Sequence, residues 1–195
     1  RAMKPLQHLT ILDLSRVLAC PFASMILAEL GATVIKVEQP GAGDETRRFE
    51  PQLAQDSAYY FACHRSKASI TVNLRSDEGR KLIRALAEKA DVVLENFPVG
   101  TLARYGLDYP VLSSLNEKLI FVSCTGFGQN GPYAEKKGYD TVFQAMGGIM
   151  SLTGERGGGP VKPGLPVADL TSGLWIAIAI LAALAGRSRT GKGSY

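Results

Sequence analysis

An α/β fold built on a mainly parallel sheet flanked by helices is what this sequence predicts. Two observations carry that expectation. Short runs of apolar and β-branched residues recur along the chain, and helical patterns with their own start and stop signals separate them. The first of those runs is apolar nearly throughout rather than alternating, as a strand covered on both faces must be. At 195 residues, the chain is long enough for one sizeable domain and its core.

Each element has a local reason. Leu9–Leu14 reads as the first strand. Pro21 suits a first helical position, so Phe22–Leu30 reads as a helix that Gly31 stops. Ala32–Glu38 is a second strand, and residues 39–55, with Pro40, Gly41, Gly43 and Pro51, read as a long loop. A helical turn over Ser57–Ala62 has little to support it beyond composition. Ser69–Leu74 alternates as a strand, and Ser76 caps a helix over Asp77–Ala90 whose apolar stripe is Leu82, Ile83, Leu86 and Ala90. Asp91–Asn96 is a strand, Leu107–Leu115 a helix, Leu119–Ser123 a strand, and Tyr139–Met150 and Leu170–Ala185 are helices. Strands and helices alternating at this spacing make βαβ units, hence a Rossmann-like sheet. Ligands of such sheets sit beyond the carboxyl ends of the strands, which points to residues 15–18, 38–48, 74–75, 95–105 and 124–139.

Composition narrows the chemistry. Hydrophobic residues make up 46% and charged residues 21%, ordinary values for a globular protein. The net charge of +4 is spread rather than clustered, which argues against a nucleic-acid arm and permits an anionic small ligand. Three widely spaced cysteines, Cys20, Cys63 and Cys124, fit a reducing, cytoplasmic setting and no disulfide or zinc framework. The longest apolar run, Leu174–Ala185, is too short to span a bilayer and reads as a buried helix. Arg1-Ala2 reads as an added remnant before a start at Met3, and the closing Gly191–Tyr195 turn reads as the approach to a further strand, so the chain looks cut.

Neither G-x-G-x-x-G nor the P-loop pattern follows the first strand, so NAD and ATP are not supported. His8 and His64 lie away from any Ser or Cys nucleophile signature and do not make a triad or a catalytic zinc site. Basic residues near strand ends (Arg16, Lys36, Arg47, Arg48, Arg65, Lys67, Arg75, Arg104, Lys136 and Lys137) would suit a phosphate-bearing ligand if several shared a rim. The most informative stretch is Pro163–Gly173, where Asp169 stands at the mouth of a very apolar helix. On that stretch alone a helix N-cap is the more ordinary role for Asp169, and a carboxylate nucleophile is the other.

Five ordered segments then resemble one family: LDLSRVLACPFASMILAELGATVIKVEQPGAGDETR from Leu12, ENFPVGTLARYGLDY from Glu95, SCTGFGQNGPYAEKKGYD from Ser123, PGLPVADLTSGL from Pro163 and TGKGSY from Thr190. They resemble the class III coenzyme A transferases, a group that includes formyl-CoA transferase, carnitine CoA-transferase and succinyl-CoA:glutarate CoA-transferase. The resemblance runs from Lys4 to Tyr195 and implies that residues 1–195 are the N-terminal part of the family's large domain, ending before its small domain and C-terminal return. It implies an interlocked homodimer with sites between subunits, so that this chain alone would be inactive and prone to aggregate. It implies acyl-CoA and carboxylic acid as substrates, with no permanently bound cofactor, metal, nucleic acid or membrane.

The resemblance also reverses the reading of Asp169, which falls on the family's nucleophile. In that course Asp169 attacks an acyl-CoA thioester to give a mixed anhydride and CoA thiolate. The thiolate then forms an aspartyl-CoA thioester, the acceptor carboxylate displaces CoA from it to form a second anhydride, and CoA finally takes up the new acyl group. For CoA, the resemblance marks Arg16, Val17 and Leu18 in the turn after the first strand, Gln39 at the nucleotide end, and Val72, Asn73 and Arg75 near the adenine. It marks Asn96, Phe97, Arg104 and Tyr105 along the pantetheine and phosphates, and Lys137 and Tyr139 near the nucleophile. The family often has His and Gln at the places of Arg16 and Leu18, Arg at that of Gln39, and in some relatives Glu at that of Asp140. Pro40–Asp44 and Pro160–Gly164 are most similar to the succinyl-CoA:dicarboxylate branch. An α-methylacyl-CoA racemase is the alternative enzyme. Racemases of the superfamily carry Gly-His-Asp where Gly138-Tyr139-Asp140 stands, and a phenol titrating near 10 replaces imidazole poorly as a base. A non-catalytic CoA-binding or dimerisation fragment is the alternative outside enzymes.

Overall fold

The computed structural model describes residues 3–195, so the expectation that Arg1-Ala2 is an added remnant falls outside the described residues. Strand β1 (Thr10–Asp13) leads into helix α1 (Ala19–Glu29), strand β2 (Thr33–Glu38) and a 3-10 turn over Glu45–Arg48. A two-residue hairpin follows, β3 (Gln52–Leu53) with β4 (Asp56–Ser57), then α2 (Ala58–His64), β5 (Ala68–Thr71), α3 (Asp77–Lys89), β6 (Val92–Glu95), α4 (Thr101–Arg104) and α5 (Tyr109–Leu115). The chain continues through β7 (Ile120–Ser123), α6 (Asp140–Met146), a 3-10 turn over Ile149–Leu152, and α7 (Val167–Thr190).

Five strands form one sheet in the order β5-β2-β1-β6-β7, every neighbouring pair parallel. Ser194 extends this order with a parallel bridge to Ile120 beside β7. The order reverses between β1 and β6, which creates the crevice where doubly wound sheets bind ligands. Helices cover both faces. Ile11, Val34, Val92, Leu94 and Ile120 pack on Ala23 and Leu27 of α1 and Ile176, Ala177 and Ile180 of α7. Leu12, Val37, Val93 and Phe121 pack on Ile83 and Ala87 of α3, Leu102 of α4 and Leu112 of α5. Two covered faces explain why the central strands are continuously apolar.

Four expectations are corrected. The loop over 39–55 contains the 3-10 turn and the small antiparallel hairpin, because Asp44 accepts from Thr46 N–H at 3.0 Å and thereby caps a turn amid glycines. The helix over 139–150 breaks after Met146, since Gly148 takes a φ of 84° that a continuing helix cannot hold. The third strand stops at Thr71, and Val72–Leu74 form the turn into α3. The last helix runs from 167 to 190, and by length and composition it could cross a bilayer, against the reading of its apolar run as too short. Nor is α7 buried all round: Trp175 is 70% exposed and Leu174, Ile178 and Leu181 share its open face.

Candidate functional site

The turn after β1 is built from below. Asp13, fully buried, accepts from Ser15 N–H at 2.9 Å, from the hydroxyls of Ser15 and Ser24, and from Lys67 Nζ at 3.2 Å. Burial would raise its carboxyl, but Lys67 and Lys36 together with the hydroxyls hold it well below the usual range. Above it, Val17 adopts a left-handed φ of 69°, a conformation that costs a branched side chain free energy and persists only where neighbours enforce it. Asn96 is one of those neighbours. Its Oδ1 accepts from Arg16 N–H at 2.8 Å and its Nδ2 donates to the Arg16 carbonyl at 2.6 Å, while the Arg16 guanidinium lies 5.3 Å above the Phe97 ring. Arg16, Val17, Leu18, Asn96 and Phe97 thus meet at the switch point of the sheet.

The next group lies along the β2–β5 edge. Gln39 is exposed and accepts, through its carbonyl, from Gly43 N–H at 3.1 Å. Val72 N–H donates to the Glu38 carbonyl at 2.9 Å and its side chain is buried, whereas Asn73 and Arg75 are exposed. Tyr105 and Phe97 pack against the same core cluster as Val72. Arg104 is exposed, its guanidinium 3.3 Å from Thr101 Oγ1, and Lys137 and Tyr139 are exposed before α6. Asn96 spends its amide on the Arg16 backbone, so its side chain shapes the turn.

The basic rim is thinner than the sequence implies. Lys36, inside β2, is 1% exposed and 3.1 Å from Asp44, and Lys67 is held on Asp13. Arg47 is divided between Glu38 at 2.7 Å, Asp56 at 2.8 Å and the Tyr60 ring. His64 is not in a loop but ends α2, buried, with Nδ1 3.3 Å from Lys67 Nζ and Nε2 3.7 Å from Asp44. Burial, then the charges of Lys67 and Lys36, push its pKa down to about 3. The unfolded chain therefore takes up a proton near pH 6.5 that the folded chain refuses until about pH 3. Stability should fall with pH across that window, at up to about 1.4 kcal/mol per pH unit. Urea midpoints measured from pH 7 to 4 should show this slope, and His64→Gln should flatten it.

Asp169 occupies the first turn of α7, but the helix begins at Val167 and Asp169 does not cap it. Asp140, from α6, does so from outside: its Oδ1 accepts from Ala168 N–H at 2.8 Å and from Asp169 N–H at 3.2 Å. Burial and, second, the Asp140 charge raise the Asp169 carboxyl to about 6. The site therefore pairs two carboxylates with distinct tasks, one spent on backbone donors and one left free. Gln144, 1% exposed, donates to the other Asp140 oxygen and to the Leu165 carbonyl at 3.1 Å. Sequence reasoning missed Gln144, although its i+4 spacing from Asp140 puts both on one face of α6. It also missed Tyr59 on α2, whose phenol is raised by burial, Cys63 and the charges of Asp169 and Asp140. Helix α7 crosses α1 one turn beyond Asp169, where α1 leaves the Arg16–Leu18 turn: a Cβ on Gly173 would lie 2.6 Å from the Ala19 carbonyl.

Comparison with known proteins agrees with this architecture. The family model for CoA-transferase family III matches residues 6–195. Succinate–glutarate CoA-transferase of Agrobacterium fabrum is 48% identical over 98% of this chain and 50% of its own length. Succinyl-CoA:glutarate CoA-transferase of Mus musculus is 46% identical over 100% of this chain and 45% of its own. A crystal structure of a CAIB/BAIF family protein from Brucella suis superposes with a TM-score of 0.95 at 49% identity, over 99% of this chain and 52% of that one. The chain spans about half the length of the curated relatives it matches. A match along nearly its whole length, carried on the same parallel sheet, assigns this chain to CoA-transferase family III.

Proposed function

We propose that this chain supplies the nucleophile and much of the CoA cradle for moving CoA between carboxylic acids, through a covalent aspartyl-CoA intermediate on Asp169. The observation that carries the reading is a half-buried carboxylate whose basicity is raised, set at a helix N-terminus whose N–H groups a second carboxylate already satisfies. The raised pKa makes Asp169 a better nucleophile while leaving it mostly ionised at neutral pH. Its Oδ attacks the thioester carbonyl and the C–S bond breaks, giving the mixed anhydride and CoA thiolate. The thiolate attacks the aspartyl carbonyl and expels the donor's carboxylate. The acceptor carboxylate then displaces CoA, and the returning thiolate takes the acceptor's acyl group and frees Asp169.

The turn of Arg16, Val17 and Leu18 with Phe97 would lie along the CoA chain, with Asn96 fixing the turn. Gln39, Val72, Asn73 and Arg75 would face the nucleotide, Arg104 and Tyr105 the phosphates and pantetheine, and Lys137 and Tyr139 the reacting end. The relatives' names favour succinyl-CoA as donor and a small dicarboxylate as acceptor. In this reading the chain is the N-terminal part of a larger domain, and the remaining chain and a second subunit cover the open face of α7. The free thiols Cys20, Cys63 and Cys124 suit a cytoplasmic setting.

The test is an intact mass of the whole protein mixed with succinyl-CoA. A CoA-sized adduct that is lost on adding glutarate, and absent in Asp169→Ala, is the expected result. Appreciable turnover by Asp169→Ala would sink the assignment. Adduct formation should rise with pH through about 6. Asp140→Asn, which removes the neighbouring charge, should move that limb down by roughly one pH unit.

A further inference from the structure

We propose that Gln144 is a positioning residue for the nucleophile: its amide clamps Asp140 onto the N-terminus of α7 and ties the Leu165 carbonyl to the same helix entry. The inference rests on the reading of Asp169 as nucleophile and adds to it the residue that orients that side chain.

Three observations support it. Gln144 is among the most buried polar residues of the chain, at 1% exposure. Its Nε2 faces two acceptors, the Asp140 carboxylate and the Leu165 carbonyl, which decides which end of the amide is nitrogen. Its Oε1 then lies buried with no hydrogen-bond partner among the described residues. A buried unpaired acceptor is costly, so an apolar side chain would pack there at less expense if packing were all that mattered. What the amide provides instead is direction. Asp140 has one oxygen on the backbone N–H groups of Ala168 and Asp169 and the other on Gln144, so its carboxylate cannot rotate. With the clamp gone, Asp140 can leave the helix end and the nucleophile's own N–H loses its anchor.

Two variants of the whole protein separate this role from simple packing. Gln144→Leu keeps volume and loses both donors. Gln144→Glu can donate to Asp140 only while protonated. The first readout needs no turnover: carbodiimide labelling of Asp169, followed by peptide mass spectrometry against pH. Without its donor the Asp140 carboxylate can swing off the helix end, and its charge then raises Asp169 less. The labelling midpoint should therefore fall from about 6 in the wild type by roughly one pH unit or less in Gln144→Leu. The second readout is adduct formation with succinyl-CoA. In Gln144→Leu it should slow ~10-fold, with KM within about twofold of wild type. Gln144→Glu should approach wild-type rates at acidic pH and lose them as pH rises, a limb the leucine variant lacks.

An unmoved midpoint together with wild-type adduct formation in Gln144→Leu would overturn the proposal. If that variant does not fold, an unchanged pH profile in Gln144→Glu would overturn it. A shifted midpoint in a protein whose wild type forms no adduct would support the clamp and refute the transferase reading instead.

Discussion

Valine in place of Gly173 should lower turnover of the whole protein about 100-fold, because α7 can no longer lie against α1 and Asp169 is carried with it. Gly173 is buried one turn beyond Asp169. A Cβ there would fall 2.6 Å from the Ala19 carbonyl and 2.9 Å from the Phe22 ring. The first is backbone and cannot swing aside, so the helices must separate. Ala19 opens α1 directly after the Arg16–Leu18 turn, so Asp169 and that turn move relative to each other. Gly186 supplies the control in the same helix, since a Cβ there meets no atom within 4 Å among the described residues. Gly186→Ala should keep full activity and add up to about 1 kcal/mol of helix stability. Steady-state kinetics of both variants, with the Asp169 labelling midpoint, check the pair. Wild-type turnover in a folded Gly173→Val would show that the helix crossing does not hold Asp169 in place.

Removing the carboxylate of Asp44 should cost about 3–5 kcal/mol of unfolding free energy. Lys36 is 1% exposed and Asp44 is its ion-pair partner, 3.1 Å away. Burial alone would raise the Asp44 carboxyl, but the Lys36 charge and the Thr46 donors outweigh it and hold it low. The carboxylate also starts the 3-10 turn, with Oδ1 accepting from Thr46 N–H and Thr46 Oγ1 at 2.8 Å. Asp44→Ala therefore leaves a buried ammonium unpaired and a turn uncapped. Replacing both partners, Lys36→Met with Asp44→Leu, should recover part of the loss, because neither member of this pair is then left buried and unpaired. Urea denaturation of the single and double variants measures this. A loss below about 1 kcal/mol in Asp44→Ala would mean that water reaches Lys36. Lys36 also donates to the Ser15 carbonyl, so the single variant should weaken the CoA binding proposed for the turn after β1 as well.

The fate of these residues shows how far local patterning reaches. Helix α3 was legible because everything that makes it is adjacent in sequence: Ser76 Oγ accepts from Gly79 N–H at 3.0 Å, and buried Ile83 and Ala87 follow at helical spacing, although Leu82 of the expected stripe is exposed. Strands β1, β6 and β7 were legible because two covered faces leave a nearly continuous apolar run, and β2 because Val34, Ile35 and Val37 flank its one lysine. Helix α2 was hardly legible, since it is only seven residues long and packs on α1, far earlier in the chain. Within the site, the resemblance singled out Asp169 and placed Lys137 and Tyr139 near it, but not Gln144 or Tyr59. Gln144 and Tyr59 were missed because an amide and a phenol in short helices carry no spacing signal for a carboxylate some 25 and 110 positions away.

By itself the sequence determined the α/β class, the parallel sheet and the place of Asp169 at the head of an apolar helix, since hydrophobic period, turn residues and ordered segments are all local quantities. Only the tertiary structure decided which charges are available. Lys36, Lys67 and Arg47 look like a basic rim in sequence, and folding spends them on Asp44, Asp13 and Glu38. It likewise gave the capping of α7 to Asp140 and left Asp169 free, a division between two acids set by which backbone N–H groups each can reach across the fold.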